Sequence, residues 1–587
     1  MAEKIVSPGV FTRENDLSFL PQGIGEIGAA LVGPTVKGPV GIPTQVSSYA
    51  EYVSIFGDTF QSGSDYYQYL TSYTADRYLE FAGALTVVRI DGQNATFATA
   101  SICTSSAAYT ADGCSFTLHT LAEGDILNSL GSAEGANHAL TNGTKDNLRW
   151  EITNKNNNTG TFNLLIRRGD DTENSKTVLE TWNNLSLDPN STNYISKVVG
   201  DSYFQVDTSV SSDPFVKETG EYKTMSNYVR VTVNKKTINY LDANGNVRDG
   251  DLSGSLPANG SGSLGGAFGG GSDGDRITAG GQNFYKDITG GNAQGFDIND
   301  LTNTNGGAAY NQALLLLQNQ DQYDINMIIV PGANQKDSSA VVDKAISVCE
   351  TRGDCIAIVD PVPYGSSITN TTAEANDYNT SYAAMYWPWV QISDNQLGKN
   401  VWVPPSVVMP GVLAYNDTVS AEWYAPAGLN RGGITAIKAE RGLTHSNRDD
   451  LYENRINPIA TFPGVGVCVW GQKTLQKRPS ALDRVNVRRL LINLKKFIAS
   501  TSKFLVFEQN TSATRNRFLS TVVPYMESVQ ANQGLYAFRV VMDTTNNTPE
   551  LIDRNIMKGD IFIQPAKAAE FIVVDFNIMP TGATFGE

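Results

Sequence analysis

The chain has 587 residues, and its 44 Lys and Arg face 60 Asp and Glu for a formal charge of −16. That length predicts about three or four domains at ~100–200 residues each, and the acidic balance argues against free nucleic acid as a partner of the whole molecule. Five cysteines without a CxxC pair argue against a disulfide framework and for a reducing compartment, no run approaches the ~18 apolar residues of a membrane span, and MAEKIVSPGV has no apolar signal core. A soluble chain made in a cytoplasm is expected.

Residues 1–25 hold prolines and glycines but no hairpin partner for Val10, Phe11 and Thr12. An isolated strand is not stable, so this arm must pair elsewhere, in its own domain or in another subunit. IGAALVG (27–33) then reads as a buried strand, residues 64–81 as a tyrosine-rich helix, and residues 84–90 as a second apolar strand. Strand, helix, strand suggests an α/β layer.

Residues 91–205 turn polar, with short alternating segments such as TFNLLIR (161–167), and read as a β-rich insertion. Residues 206–305 stay loop-rich and are assigned with 26–90 and 306–360 to a middle α/β domain. GGSDG (270–274) matches the GxSxG pattern, but a nucleophile elbow needs a strand before it and a helix after it. A glycine run and DRITAGG stand there instead, so a flexible surface loop is expected. Residues 308–318 predict a helix, 325–330 a strand, 337 onward a helix capped by Asp337 or Ser338, and 356–359 a parallel strand. Cys349 and Cys355, at that helix end and strand start, read as buried apolar residues. PGANQ (331–335) lacks the glycine spacing of a dinucleotide site, so no cofactor is implied.

Residues 381–475 alternate aromatics, prolines and small residues. They form either a packed junction or an aromatic platform for a glycan, and composition favours the junction. Residues 483–508 begin as an amphipathic helix with Val487, Leu490, Leu491, Leu494, Phe497 and Ile498 on one stripe. Arg484, Arg488, Arg489, Lys495 and Lys496 fall off that stripe and predict an exposed basic face. From 484 to 517 there are eight Lys and Arg and one acidic residue, Glu508. Residues 504–507 read as a strand, 512–530 as a helix broken near Pro524, and 536–542, 561–564 and 571–578 as strands. The last one, with Phe571, Ile572, Val573, Val574, Asp575 and Phe576, has a free edge that invites pairing between chains.

No catalytic constellation is legible. His119, His138 and His445 occupy unrelated contexts, and neither an HExxH nor a metal-ligand spacing occurs.

A series of motifs in fixed order carries a resemblance. It includes Tyr386-Trp387-Pro388-Trp389, Pro404-Pro405-Ser406, Ala425-Pro426-Ala427-Gly428, Ile456-Asn457, Val469-Trp470-Gly471 with Thr474, and RRLLINLKKFI…FLVFE over 488–508. SPGVFTRENDLS (7–18), GPVGIPTQV (38–46) with Phe56-Gly57, NLSLDPNS (184–191) and GGGSDG (269–274) extend it. Together they resemble the contractile tail sheath proteins of myovirus-type bacteriophages over nearly the whole chain, least in 91–182 and 206–260. The resemblance implies a multidomain α+β and α/β fold: a sheath core over 361–587 and β-rich domains inserted outward. It implies a structural protein without catalysis, cofactor or metal, which polymerises helically around a tail tube and contracts to drive the tube through the host envelope. Its partners would be itself, the tube, and the baseplate and tail terminator proteins, with no nucleic acid or membrane directly bound. The product would be a virion component. The basic residues named above would be tube contacts, and Val10–Thr12 with 571–576 would be strands exchanged between subunits. Two other readings are a phage-like bacteriocin or injection system and a glycan-binding or glycan-cleaving tail component.

Overall fold

The computed structural model describes residues 28–62, 65–105, 114–129, 134–135, 137–210, 212–275, 296 and 298–571. The chain divides into a large unit, described here over 28–493 and 565–571, and a small unit, described over 494–564.

The large unit is organised on an eight-stranded sheet in the order Thr44–Val46, Leu85–Arg89, Gly28–Gly33, Ile325–Asn334, Ile356–Asp360, Ala383–Trp387, Ile456–Phe462, Gly466–Val469. The six inner strands run parallel, and the two outermost pair antiparallel. The inner strands read as unbroken apolar runs because both faces are covered. Successive side chains point to opposite faces. Ala29, Leu31, Ile356 and Ile358 therefore enter one core with Tyr73, Val407 and Leu413. Ala30, Val32, Ala357 and Val359 enter the other with Tyr310, Val341 and Leu451.

The predicted helix over 64–81 is shorter than expected. Thr59–Ser62 and Asp65–Gln68 form a hairpin, and the helix is Leu70–Leu79. It packs against Pro405–Val419. Gly411 permits that approach, since a Cβ there would lie 2.6 Å from the Arg77 carbonyl oxygen. The helix after Ile325–Asn334 begins at Gln335, capped by Asn334, whose Oδ1 accepts from the Asp337 amide at 3.0 Å. Asp337 falls in its first turn, and Ser338 leaves helical geometry at φ −139° and ψ 40°, a kink from which the longer helical stretch continues. At the end of Ile356–Asp360 the buried Asp360 carboxylate accepts from the Ser406 amide (2.9 Å) and hydroxyl (2.5 Å). Helix caps thus occupy positions where a ligand of a doubly wound sheet would sit.

The insertion leaves the sheet after Leu85–Arg89. Two three-stranded antiparallel sheets, Val178–Ser186/Thr161–Arg168/Leu148–Asn156 and Val229–Val233/Cys114–Glu123/Phe97–Cys103, share one core. Phe116 stacks on Phe162 inside it, at 5.6 Å between ring centroids. That core continues through Tyr240, Leu256 and Phe268, so the β-rich region extends well beyond 205. The glycine-rich stretch is not a free loop: Gly269 pairs with Thr99 and Ser272 with Thr96 along the edge of the insertion sheet. Cys103 and Cys114 form a disulfide, where the sequence argued against a disulfide framework. They end facing strands and are cross-strand neighbours, a register the spacing did not reveal. Cys349 and Cys355 are buried, as expected.

The small unit contains the end of Val485–Ser502, the helix Ser512–Ala531, and a two-stranded ribbon of Leu535–Val541 with Asp560–Pro565. Pro524 lies inside Ser512–Ala531 without ending it, and the Phe497 ring stacks on Tyr525 at 3.7 Å. Residues 504–507 are not a strand. Lys503–Leu505 is a single 3₁₀ turn, and the chain then leaves with Phe507 at φ 70°.

Candidate assembly surfaces

The helix Val485–Ser502 is the element the sequence singled out, and its basic face is not what the spacing predicts. Arg488 and Arg489 are 4% and 3% exposed. Each is held by residues too distant in sequence to be foreseen. Arg489 makes a two-pronged contact with Asp417, 72 positions earlier, with Nη1 donating to Oδ1 at 2.7 Å and Nη2 to Oδ2. This fork-to-carboxylate geometry is specific to a guanidinium. Burial opposes the Arg489 charge, and the Asp417 carboxylate outweighs burial, so its pKa is raised. Arg488 donates to the Ser381 hydroxyl and lies 4.1 Å over the Tyr382 ring. These two arginines fix the helix to the large unit, so their expected exposure is corrected.

Arg484 has a different task. Its Nε donates to Glu570 Oε1 (2.6 Å) and its Nη2 to Oε2 (2.9 Å), across 86 positions. Tyr452 Oη (2.9 Å) and Gln472 Nε2 (3.2 Å) donate to the same carboxylate. Burial would raise the Glu570 pKa, but the bonds and charge from Arg484, with Tyr452 and Gln472, hold it below the ordinary carboxylate value. Glu570 is therefore an anchor for the end of the described chain. The next residue, Phe571, is 80% exposed. Sequence reasoning missed Glu570, Tyr452 and Asp417, and no local pattern marks them.

Of the other expected site residues, Lys495 is exposed and Lys496 is buried, in the small unit. Val10, Phe11, Thr12, Ile572, Val573, Val574, Asp575 and Phe576 lie outside the described residues. In the small unit, Phe504 (71%), Val506 (60%) and Phe507 present large apolar surface. Tyr536 and Phe562 do the same on the ribbon.

The residues considered for chemistry do not assemble. His445 is exposed and bonds Asp449 one helical turn away at 2.8 Å. His119 bonds Thr232 at 3.1 Å, and burial together with nearby Arg230 pushes its pKa down to about 4. His138 bonds Glu134. Among the described residues, no group of three His, Cys, Asp or Glu is placed to hold a metal ion, and no helix is long and apolar enough to cross a membrane. Trp387 and Trp389 are 1% exposed, which makes them junction packing rather than a platform.

The described residues form a multidomain α+β fold whose conspicuous charged groups anchor one element to another. Residues 304–475 match the phage tail sheath protein central domain and residues 477–579 the phage tail sheath C-terminal domain, so this part of the chain is similar to phage tail sheath proteins. The tail sheath protein of Enterobacteria phage T4 is 35% identical over 289 residues, 46% of this chain and 44% of that protein. That of Vibrio phage KVP40 is 37% identical over 247 residues, 42% of this chain and 37% of that protein. The match thus spans less than half the length of these relatives. The crystal structure of a sheath tail protein from Listeria innocua shares the fold over 93% of both chains, with a TM-score of 0.54 at 12% identity.

Proposed function

We propose that this chain is the structural subunit of a contractile phage tail sheath. It polymerises helically around a tail tube and contracts to drive the tube through the host envelope, without catalysis. The sheath-family match over 304–579 carries this reading. The ribbon of Leu535–Val541 and Asp560–Pro565 supports it, because two strands alone are marginal in water and carry open edges. The terminal segments with Val10–Thr12 and 571–576 complete that sheet in a neighbouring copy, and backbone pairing of this kind lets subunits rotate while remaining linked. The Glu570 anchor fixes the chain immediately before the segment proposed to be exchanged.

The subunit works in the virion tail after synthesis in the host cytoplasm. It partners itself, the tube, and the baseplate and terminator proteins. Lys495 is the best placed of the five basic residues for the tube, while Arg484, Arg488 and Arg489 position the helix. Solvated charge pairs contribute only ~0–1 kcal/mol each, which suits a contact that must release.

Deletion of residues 1–20 tests the strand exchange. The shortened chain is expected to keep its melting temperature and to remain monomeric by analytical ultracentrifugation. Polymers formed as readily as by the full chain would rule the exchange out.

A further inference from the structure

Two cysteine pairs lie within sulfur contact among the described residues, and they differ in oxidation state. Cys349, in the last turn of Gln335–Arg352, and Cys355, just before Ile356–Asp360, are six positions apart. The Cys355 thiol donates to the Cys349 sulfur at 3.3 Å, and both residues remain thiols. Cys103 and Cys114 are eleven positions apart, yet they are the bonded pair. Chain statistics favour the opposite outcome. A shorter loop closes at least as readily in an unfolded chain, so an oxidant present during folding would bond Cys349 to Cys355 as well.

Access after folding accounts for the contrast. Cys349 and Cys355 are 0% exposed, inside the core between the sheet and its helices. Burial also pushes the Cys349 pKa well up, and the thiolate is the form that reacts. Cys103 is 9% exposed and ends Phe97–Cys103, an edge strand of its sheet. A cavity of about 30 Å³, lined by Ser101, Cys103, Ser105 and Ala258, adjoins it and has room for a water-sized molecule. Folding itself brings the two thiols together: Ile102 pairs with Phe116, both enter the insertion core, and Cys103 comes to face Cys114.

We propose that Cys103–Cys114 is a redox lock on the insertion, open while the chain folds in a reducing compartment and closed afterwards by dioxygen. One O₂ takes two electrons and two protons from the two thiols and leaves as hydrogen peroxide, and the two sulfurs join. A bond across a loop of this length shifts the local unfolding equilibrium about 100-fold toward the folded insertion. The lock is independent of the sheath reading, so either can fail without the other.

The test counts thiols in the full-length chain. Cells are lysed directly into denaturant with iodoacetamide, and the intact mass is expected to show all five cysteines alkylated. After purification under reductant and exposure of the folded chain to air, alkylation of the three remaining thiols and a peptide linking Cys103 to Cys114 are expected. A bond already present in the first sample would mean that it forms during folding. Five alkylated cysteines in the second would mean that air does not make it, and a Cys349–Cys355 peptide would mean that access does not choose the pair. Each of these results overturns the proposal. Hydrogen exchange read by mass spectrometry tests the lock itself. The amides of Phe97–Cys103 and Cys114–Glu123 are expected to exchange up to about 100-fold more slowly in the oxidised chain than in the reduced one. Cys103→Ser/Cys114→Ser is expected to make that exchange insensitive to reductant. Equal exchange in oxidised and reduced wild type would mean that the bond locks nothing.

Discussion

At the scale of single residues, buried charges decide how the basic helix sits. Arg489 and Asp417 form a forked pair in which the guanidinium is almost wholly buried. Removing one partner of a buried pair leaves an uncompensated charge. Asp417→Ala is expected to cost about 3 kcal/mol in urea denaturation, and Arg489→Lys is expected to recover only part of the wild-type stability, because an ammonium cannot match the fork. Equal stability of wild type and Asp417→Ala would refute the assignment. Asp360 sets a pH dependence. Burial pushes its carboxyl up to about 7, despite the bonds from Ser406. Unfolded, it ionises near pH ~3.9. The folded chain keeps the proton over the interval between, so the stabilisation is present below about pH 4 and lost as pH rises to about 7. Asp360→Asn, which stays neutral, is therefore expected to gain melting temperature relative to wild type at pH 8, and the gap should narrow at pH 5. A gap that widens on acidification would contradict the burial argument.

At the scale of elements, helix Pro405–Val419 reaches Leu70–Leu79 only because position 411 lacks a side chain. Gly411→Ala would force its Cβ against the Arg77 carbonyl, which is backbone and cannot rotate away. Overpacking of this kind costs about 1–3 kcal/mol, even though alanine improves helix propensity. Thermal denaturation showing a stabilised Gly411→Ala would mean that the helices can separate freely. The elements also mark what sequence makes legible. Gly28–Gly33, Leu85–Arg89 and Ile356–Asp360 could be read directly, because strands covered on both faces are continuous apolar runs; Ile325–Asn334 was legible only to Val330, since Pro331-Gly332 reads as a stop although the strand continues through it. Helix spacing over 485–502 was legible too, but its basic face was not. Amphipathic spacing records what falls off a stripe, and it contains no information about Asp417 or Tyr382 waiting opposite. The tyrosines at 66 and 67 suggested helix although they belong to a strand of a hairpin. Here pairing with Thr59–Ser62 overrides local pattern.

At the scale of the whole molecule, the parallel sheet supplies a rigid frame, the insertion grows from the strand Leu85–Arg89, and the C-terminal end carries the anchors. The insertion was recognisable by its polar, alternating composition, but its extent was not. Phe268 and Leu256 enter the core from segments that look like linker, because glycine and serine can pair along a sheet edge as well as they can form a loop. The resemblance to tail sheath proteins was legible through the ordered motifs. Glu570 and the 504–507 loop depend on tertiary placement. Electron microscopy of the purified protein decides whether this chain builds the proposed helical sheath. Striated hollow tubes with a regular helical repeat are predicted. Dispersed monomers or closed rings at concentrations where sheath subunits should polymerise would contradict it.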